Sequence, residues 1–138
     1  MTDSLEKTAV LPASPDEIFD AWIDGAQHAA MTGADATSDP VVGGEFTAWE
    51  GYIEGHHQLL DRPHRIVQSW RSSEFPDGAP DSRLELELEP DGDGTRLRLV
   101  HTEIPAGQGV RYQSGWEEFY FAPMEAYFAA RRQGVPGP

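Results

Sequence analysis

Residues 83–90 read Arg-Leu-Glu-Leu-Glu-Leu-Glu-Pro, residues 95–104 read Thr-Arg-Leu-Arg-Leu-Val-His-Thr-Glu-Ile, and Asp91-Gly92-Asp93-Gly94 joins them. This stretch constrains the fold more than any other. Leucine and charge alternate with a period of two, which a helix cannot turn into one apolar face because its same-side neighbours lie three and four apart. Asp-Gly between alternating runs is the strongest short-range hairpin signal. The reading is an antiparallel hairpin with Leu84, Leu86, Leu88, Leu97, Leu99 and His101 facing in. Glu85, Glu87 and Glu89 face water, opposite Arg96 and Arg98, in pairs worth roughly a few tenths of a kcal/mol each. A sheet with one wet face must bury its other face against another layer, which amphipathic helices can supply.

The rest of the chain supplies more strands and those helices. Residues 6–11 form a first strand. Ser14, Pro15 and Glu17 then make a capping box with proline at the first helical position, and Ile18, Phe19 and Trp22 follow as one apolar stripe. Asp24-Gly25 breaks that helix, residues 26–32 allow a second short one ended near Gly33, and residues 34–43 read as a loop. Period two returns in residues 44–51, 52–61 and 64–72. Ile53, Gly55, His57 and Leu59 share one face of the second of these, and Ile66, Gln68 and Trp70 share one face of the third. Residues 74–82 form a loop. Trp116, Phe119, Tyr120, Pro123, Met124, Tyr127 and Phe128 then recur at helical spacing, which predicts a long helix from about 108–114 to 131 with a kink at Pro123. The expected fold is α+β: a curved antiparallel six-stranded sheet wrapped around a long C-terminal helix, with two short helices after strand 1.

Composition narrows the function. The 138 residues fit one domain, with a core over about 6–131 and a tail over 132–138 without regular structure. A chain of this length can bury roughly two-thirds of its unfolded surface, so a core needs no staples. No cysteine is present, which excludes disulfides, thiolate metal sites and cysteine nucleophiles. The net charge of -14 repels nucleic acid phosphates and anionic lipid headgroups. No run of apolar residues is long enough to span a bilayer, and the first residues lack the basic start and apolar core of a secretory signal, so the expected location is the cytoplasm.

The chain resembles the START-like (SRPBCC) helix-grip superfamily. Within it, the similarity is to the family named for activators of the ninety-kilodalton heat-shock chaperone's ATPase. The resemblance rests on Ser14-Pro15-Asp16-Glu17-Ile18-Phe19 with Trp22, Gly43-Gly44-Glu45-Phe46, Gly51-Tyr52-Ile53-Glu54-Gly55 and residues 65–71. It continues through Phe75-Pro76-Asp77-Gly78, Gly94-Thr95-Arg96-Leu97, Ile104-Pro105, Gly115-Trp116 and Tyr120-Phe121. The run from Trp70 to Gly78 and the Tyr120-Phe121 pair look like the C-terminal domain of the eukaryotic co-chaperone. The resemblance implies a cavity between sheet and helix, a hydrophobic ligand or a protein partner such as a heat-shock chaperone, and no set activity. The eukaryotic activator carries a further N-terminal domain, for which these residues leave no room.

On this picture, Ile53, Leu86, Leu99, Trp70, Trp116 and Met124 would line the cavity. Gln68, His101 and Tyr120 would orient a small hydrophobic or amphipathic ligand, and His57 would look in from the neighbouring strand. The alternatives for His101 and Gln68 are core side chains satisfied by neighbours, and for the aromatics plain core packing. His56 and His57 are adjacent on a strand and point to opposite faces, so they cannot chelate one metal without a bulge, and no metal or cofactor is expected. Three functions stay open: a hydrophobic-ligand binding module, a co-chaperone-like protein-interaction module as monomer or homodimer, and a cyclase- or hydrolase-type enzyme using His101 as its base.

Overall fold

A computed structural model describes residues 2–132. One antiparallel, curved sheet of seven strands runs in the order β1-β7-β6-β5-β4-β3-β2. Its strands are β1 (Thr2–Leu11), β2 (Thr37–Ser38), β3 (Glu45–Ala48), β4 (Ile53–Asp61), β5 (Arg65–Ser72), β6 (Ser82–Asp91) and β7 (Gly94–Pro105). The seventh strand is β2, in the stretch read as a loop, where Thr37 and Ser38 pair with Thr47 and Phe46. Two short helices, α1 (Pro15–Ile23) and α2 (Gly25–Thr32), follow β1. The C-terminal helix runs through α3 (Gly109–Trp116), a π-helical turn (Glu117–Phe121) and α4 (Ala122–Arg132).

Local chemistry explains the boundaries. Ser14 and Glu17 close the capping box reciprocally, with Pro15 in the first turn. Asp24 ends α1 and caps α2 by accepting from Gln27 N–H, and Gly33 ends α2 in the left-handed region at φ 82°. Gln108 offers α3 no side-chain cap. Asp3 of β1 does so instead, accepting from the N–H groups of Gly107 and Gly109 at 2.9 Å. The distortion of the long helix is a π turn just before Pro123, where Ala122 N–H reaches back to the carbonyl of Glu117. Widening that turn accommodates a ring that would clash with the ordinary helical carbonyl. Arg132, read from sequence as the start of the tail, belongs to α4, and the expectation for 133–138 lies outside the described residues.

The hairpin β6–β7 pairs Asp91 with Gly94, and its leucines are sealed in the core. Glu87 and Glu89 meet Arg98 and Arg96 at 2.8 and 2.6 Å. Glu85 does not face water: it is buried beside Arg65 and Arg83, whose guanidiniums hold its carboxylate. A bulge between His57 and Leu59 also shifts β4 by one residue, so Leu60 rather than Leu59 packs on the core. Gly55 is required two residues earlier, since a Cβ there would lie 1.9 Å from the carbonyl oxygen of Ser69.

Candidate functional site

Three elements meet at a cavity of about 390 Å³. The β3–β4 turn with the first residue of β4 brings Trp49, Tyr52 and Ile53, β5 brings Trp70, and the C-terminal helix brings Arg111, Tyr112, Gly115, Trp116, Phe119 and Tyr120. Tyr112, Trp116 and Tyr120 lie four apart, so one face of the helix presents all three rings. Trp116 leans against Tyr120 at 4.9 Å and against Trp70 at 5.7 Å between ring centroids, and Tyr112 meets Trp70 edge-on at 5.0 Å. Trp49 and Glu50 hold φ values of 52° and 59°. This is a region that residues with a Cβ occupy at a cost of roughly 1–2 kcal/mol each. The strained turn sets Trp49 edge-on to Phe119 at 5.5 Å, and Phe119 stays half exposed at the mouth.

A carboxylate ties the rim together. Glu74, in the β5–β6 loop, accepts from the Tyr52 hydroxyl and pairs with Arg111 at 2.8 Å, and its carbonyl accepts from Gln108 at 3.0 Å. Burial and the Glu74 carboxylate together push the Tyr52 hydroxyl up to about 12. The Tyr52 hydrogen bond and Arg111 hold the Glu74 carboxyl below its ordinary value. Arg111 is the one charged side chain in the lining.

The residues expected to form the site divide into two groups. Ile53, Trp70, Trp116 and Tyr120 do line the cavity. His57, Gln68, Leu86, Leu99, His101 and Met124 lie in the core and do not. The polar members of this second group satisfy one another. Trp22 Nε1–H donates to Gln68 Oε1 at 3.2 Å, so the Gln68 amide nitrogen faces His57 Nδ1 at 3.1 Å. His57 therefore carries its proton on Nε2 and donates to Ser38 Oγ at 2.9 Å. Trp116 Nε1–H donates to His101 Nδ1 at 3.2 Å, His101 Nε2–H donates to Ser82 Oγ at 2.8 Å, and Ser82 donates to the Trp70 carbonyl at 2.6 Å. Both His101 nitrogens are engaged, and burial pushes its pKa down to about 3, so it is neutral and holds no free position for a proton-transfer role.

A third histidine, absent from the sequence reading, holds Tyr120. His28 Nδ1–H donates to the Trp22 carbonyl at 2.9 Å, and its Nε2 accepts the Tyr120 hydroxyl at 2.8 Å. Tyr120 thus turns its ring to the cavity while its hydroxyl is spent inside. Burial pushes its ionisation well above the usual phenol value. The sequence reading also missed Trp49, Tyr52, Arg111, Tyr112, Gly115 and Phe119 as lining. Extending the four-residue spacing of Trp116 and Tyr120 back one step reaches Tyr112. Trp49 sits in a turn whose backbone no periodicity reveals. Chemically, the arrangement is an aromatic slot with an ionic clasp at its mouth. Among the described residues no group of three or more histidine or acidic side chains is placed to hold a metal.

Comparison with known proteins places this geometry. The family model described as Activator of Hsp90 ATPase homolog 1-like protein matches residues 12–129. An HSP90 activator from Plasmodium falciparum has a structure that superposes with a TM-score of 0.84 at 27% identity, over 91% of this chain and 96% of that one. CalU16 from Micromonospora echinospora superposes with a TM-score of 0.71 at 28% identity, over 95% and 82%. The Activator of 90 kDa heat shock protein ATPase homolog of Dictyostelium discoideum is 27% identical over 117 residues, 84% of this chain and 30% of that protein. The chain spans about a third of the length of the curated relatives it matches.

Proposed function

The chain belongs to the Activator of Hsp90 ATPase homolog 1-like family, with its helix-grip fold, and on that footing we propose that it is a binding module for a small apolar or amphipathic molecule. The observation that carries the reading is the cavity of about 390 Å³, whose ten lining residues include seven aromatic rings. Such surface drives binding by removing apolar area from water. A ligand burying about 300 Å² gains roughly 7–8 kcal/mol at about 25 cal/mol per Å², before the losses of association reduce it. That gross gain makes low-micromolar affinity the ceiling. The reading assigns Trp49, Trp70, Trp116, Phe119 and Tyr120 to the ligand's faces and leaves His57, Gln68 and His101 as scaffold. No described helix is long and apolar enough to cross a membrane, and the cytoplasm is the compartment the proposal adopts. The test is calorimetry and thermal shift against lipids, polycyclic aromatics and polyketide-like compounds. Micromolar binding by aromatic members is expected, and no binder at about 100 µM would overturn the reading.

A second reading is favoured by the Plasmodium falciparum HSP90 activator, which this chain matches over nearly that whole structure. Here the acidic surface and the exposed Phe119 ring would dock a chaperone of the Hsp90 type. Binding of purified Hsp90, weakened by salt and by Phe119→Ala, is the expected result, and no binding at low salt would remove this reading. The cyclase- or hydrolase-type alternative is supported least, because its base, His101, is enclosed by Trp116 and Ser82.

A further inference from the structure

The polar anchor of the cavity is a group that the sequence reading treated as apolar lining. Trp70 is 3% exposed and its ring borders the cavity. The indole N–H groups of Trp22 and Trp116 are both used inside the protein, by Gln68 and His101, and that of Trp49 lies against the Tyr120 hydroxyl. That of Trp70 donates to no acceptor among the described residues. Yet no buried side-chain nitrogen or oxygen among those residues is sealed off without a partner. The Trp70 nitrogen is therefore not sealed off, and the ring that carries it lines the cavity. A donor nearly enclosed by protein and presented to an apolar slot selects for an acceptor, because an occupant without one strips solvent from the N–H and leaves it unpaired.

Charge narrows the occupant further. Arg111, the one charge in the lining, is paired with Glu74 at 2.8 Å, so the slot offers a charged ligand no unpaired counter-charge, and the net charge of -14 opposes an anion. The surrounding rings favour a flat aromatic body. We propose that the ligand is an uncharged aromatic molecule carrying an acceptor oxygen, such as an aryl ketone, quinone or ether, and that the Trp70 indole N–H binds that oxygen. This rests on the cavity-binding reading and names its ligand class.

The test compares 2-acetonaphthone with 2-isopropylnaphthalene, which has nearly the same shape and no acceptor, by calorimetry on the full chain. One neutral hydrogen bond predicts roughly three- to tenfold tighter binding of the ketone, and Trp70→Phe should erase that preference while the hydrocarbon still binds. Nuclear magnetic resonance of the unmutated protein gives an answer that does not depend on the variant folding: the Trp70 indole proton should move downfield with the ketone and not with the hydrocarbon. Equal affinity for the two compounds, or the same indole response to both, overturns the anchor and leaves the cavity reading standing. Failure of both compounds to bind overturns the cavity reading and the anchor with it.

Discussion

Gly115 offers a way to close the cavity while making the protein more stable. It lies inside α3, where glycine is about 1 kcal/mol worse than alanine. A Cβ placed there meets nothing nearer than a Phe119 ring carbon at 3.9 Å, an ordinary contact, so crowding does not explain the glycine. What the missing side chain leaves is room in the cavity wall. Gly115→Ala should raise stability by about 1 kcal/mol and the melting temperature by about 3 °C. Gly115→Phe adds a ring with about 150–250 Å² of surface to a space of about 390 Å³. If that ring takes about 150 Å² of contact from a ligand, the loss is about 4 kcal/mol, or several hundredfold in affinity. The neutral fluorescent probe N-phenyl-1-naphthylamine reads binding, and urea unfolding reads stability. The expected Gly115→Phe protein is at least as stable as the parent and no longer binds the probe. A folded Gly115→Phe protein that binds the probe as the parent does would refute the reasoning, because the cavity would then not be where ligands go.

Two further changes probe the scaffold. His101 titrates near 6.5 when unfolded and near 3 when buried, so the unfolded chain takes up a proton that the native state refuses. Its contribution is complete above pH 6.5 and is lost as the pH falls towards 3, with about 2 kcal/mol gone by pH 5. Burial shifts His28 and His57 in the same direction, so they add to this loss. Urea unfolding at pH 7.5 and pH 5.0 should show it, and His101→Asn, though less stable overall, should have the shallower pH dependence; an unchanged slope would contradict the assignment. Asp3→Ala removes the acceptor that caps α3 and should lower stability by about 1 kcal/mol. Faster amide exchange over Gly109–Trp116 is the direct check, and unchanged exchange there would show that the cap is idle.

The strands and the inward leucines were legible because alternation is a local signal. Leu84, Leu86, Leu88, Leu97 and Leu99 are buried as their pattern requires. What the pattern cannot carry is a break in its own register. The bulge in β4 turned Leu60 rather than Leu59 inward, and two arginines from different strand positions drew Glu85 into a buried site. The site was half legible for a related reason. Period two identifies His57, Gln68 and His101 as inward, but not whether inward polar groups find each other. Trp22 meets Gln68 across 46 residues of chain and His28 meets Tyr120 across 92, pairings that only the assembled fold creates. The rings that do line the cavity on the helix follow from its four-residue spacing, whereas Trp49 depends on a left-handed turn with no compositional mark.

The most direct measurement of whether the aromatic slot is a receptor is a set of intermolecular nuclear Overhauser effects between 2-acetonaphthone and the protein. Contacts from the probe to ring protons of Trp70, Trp116 and Tyr120, with none to the exposed Val41 and Val42, are the expected result. Contacts confined to exposed valines, or no contacts at millimolar probe, would mean that the space between helix and sheet is not a binding site.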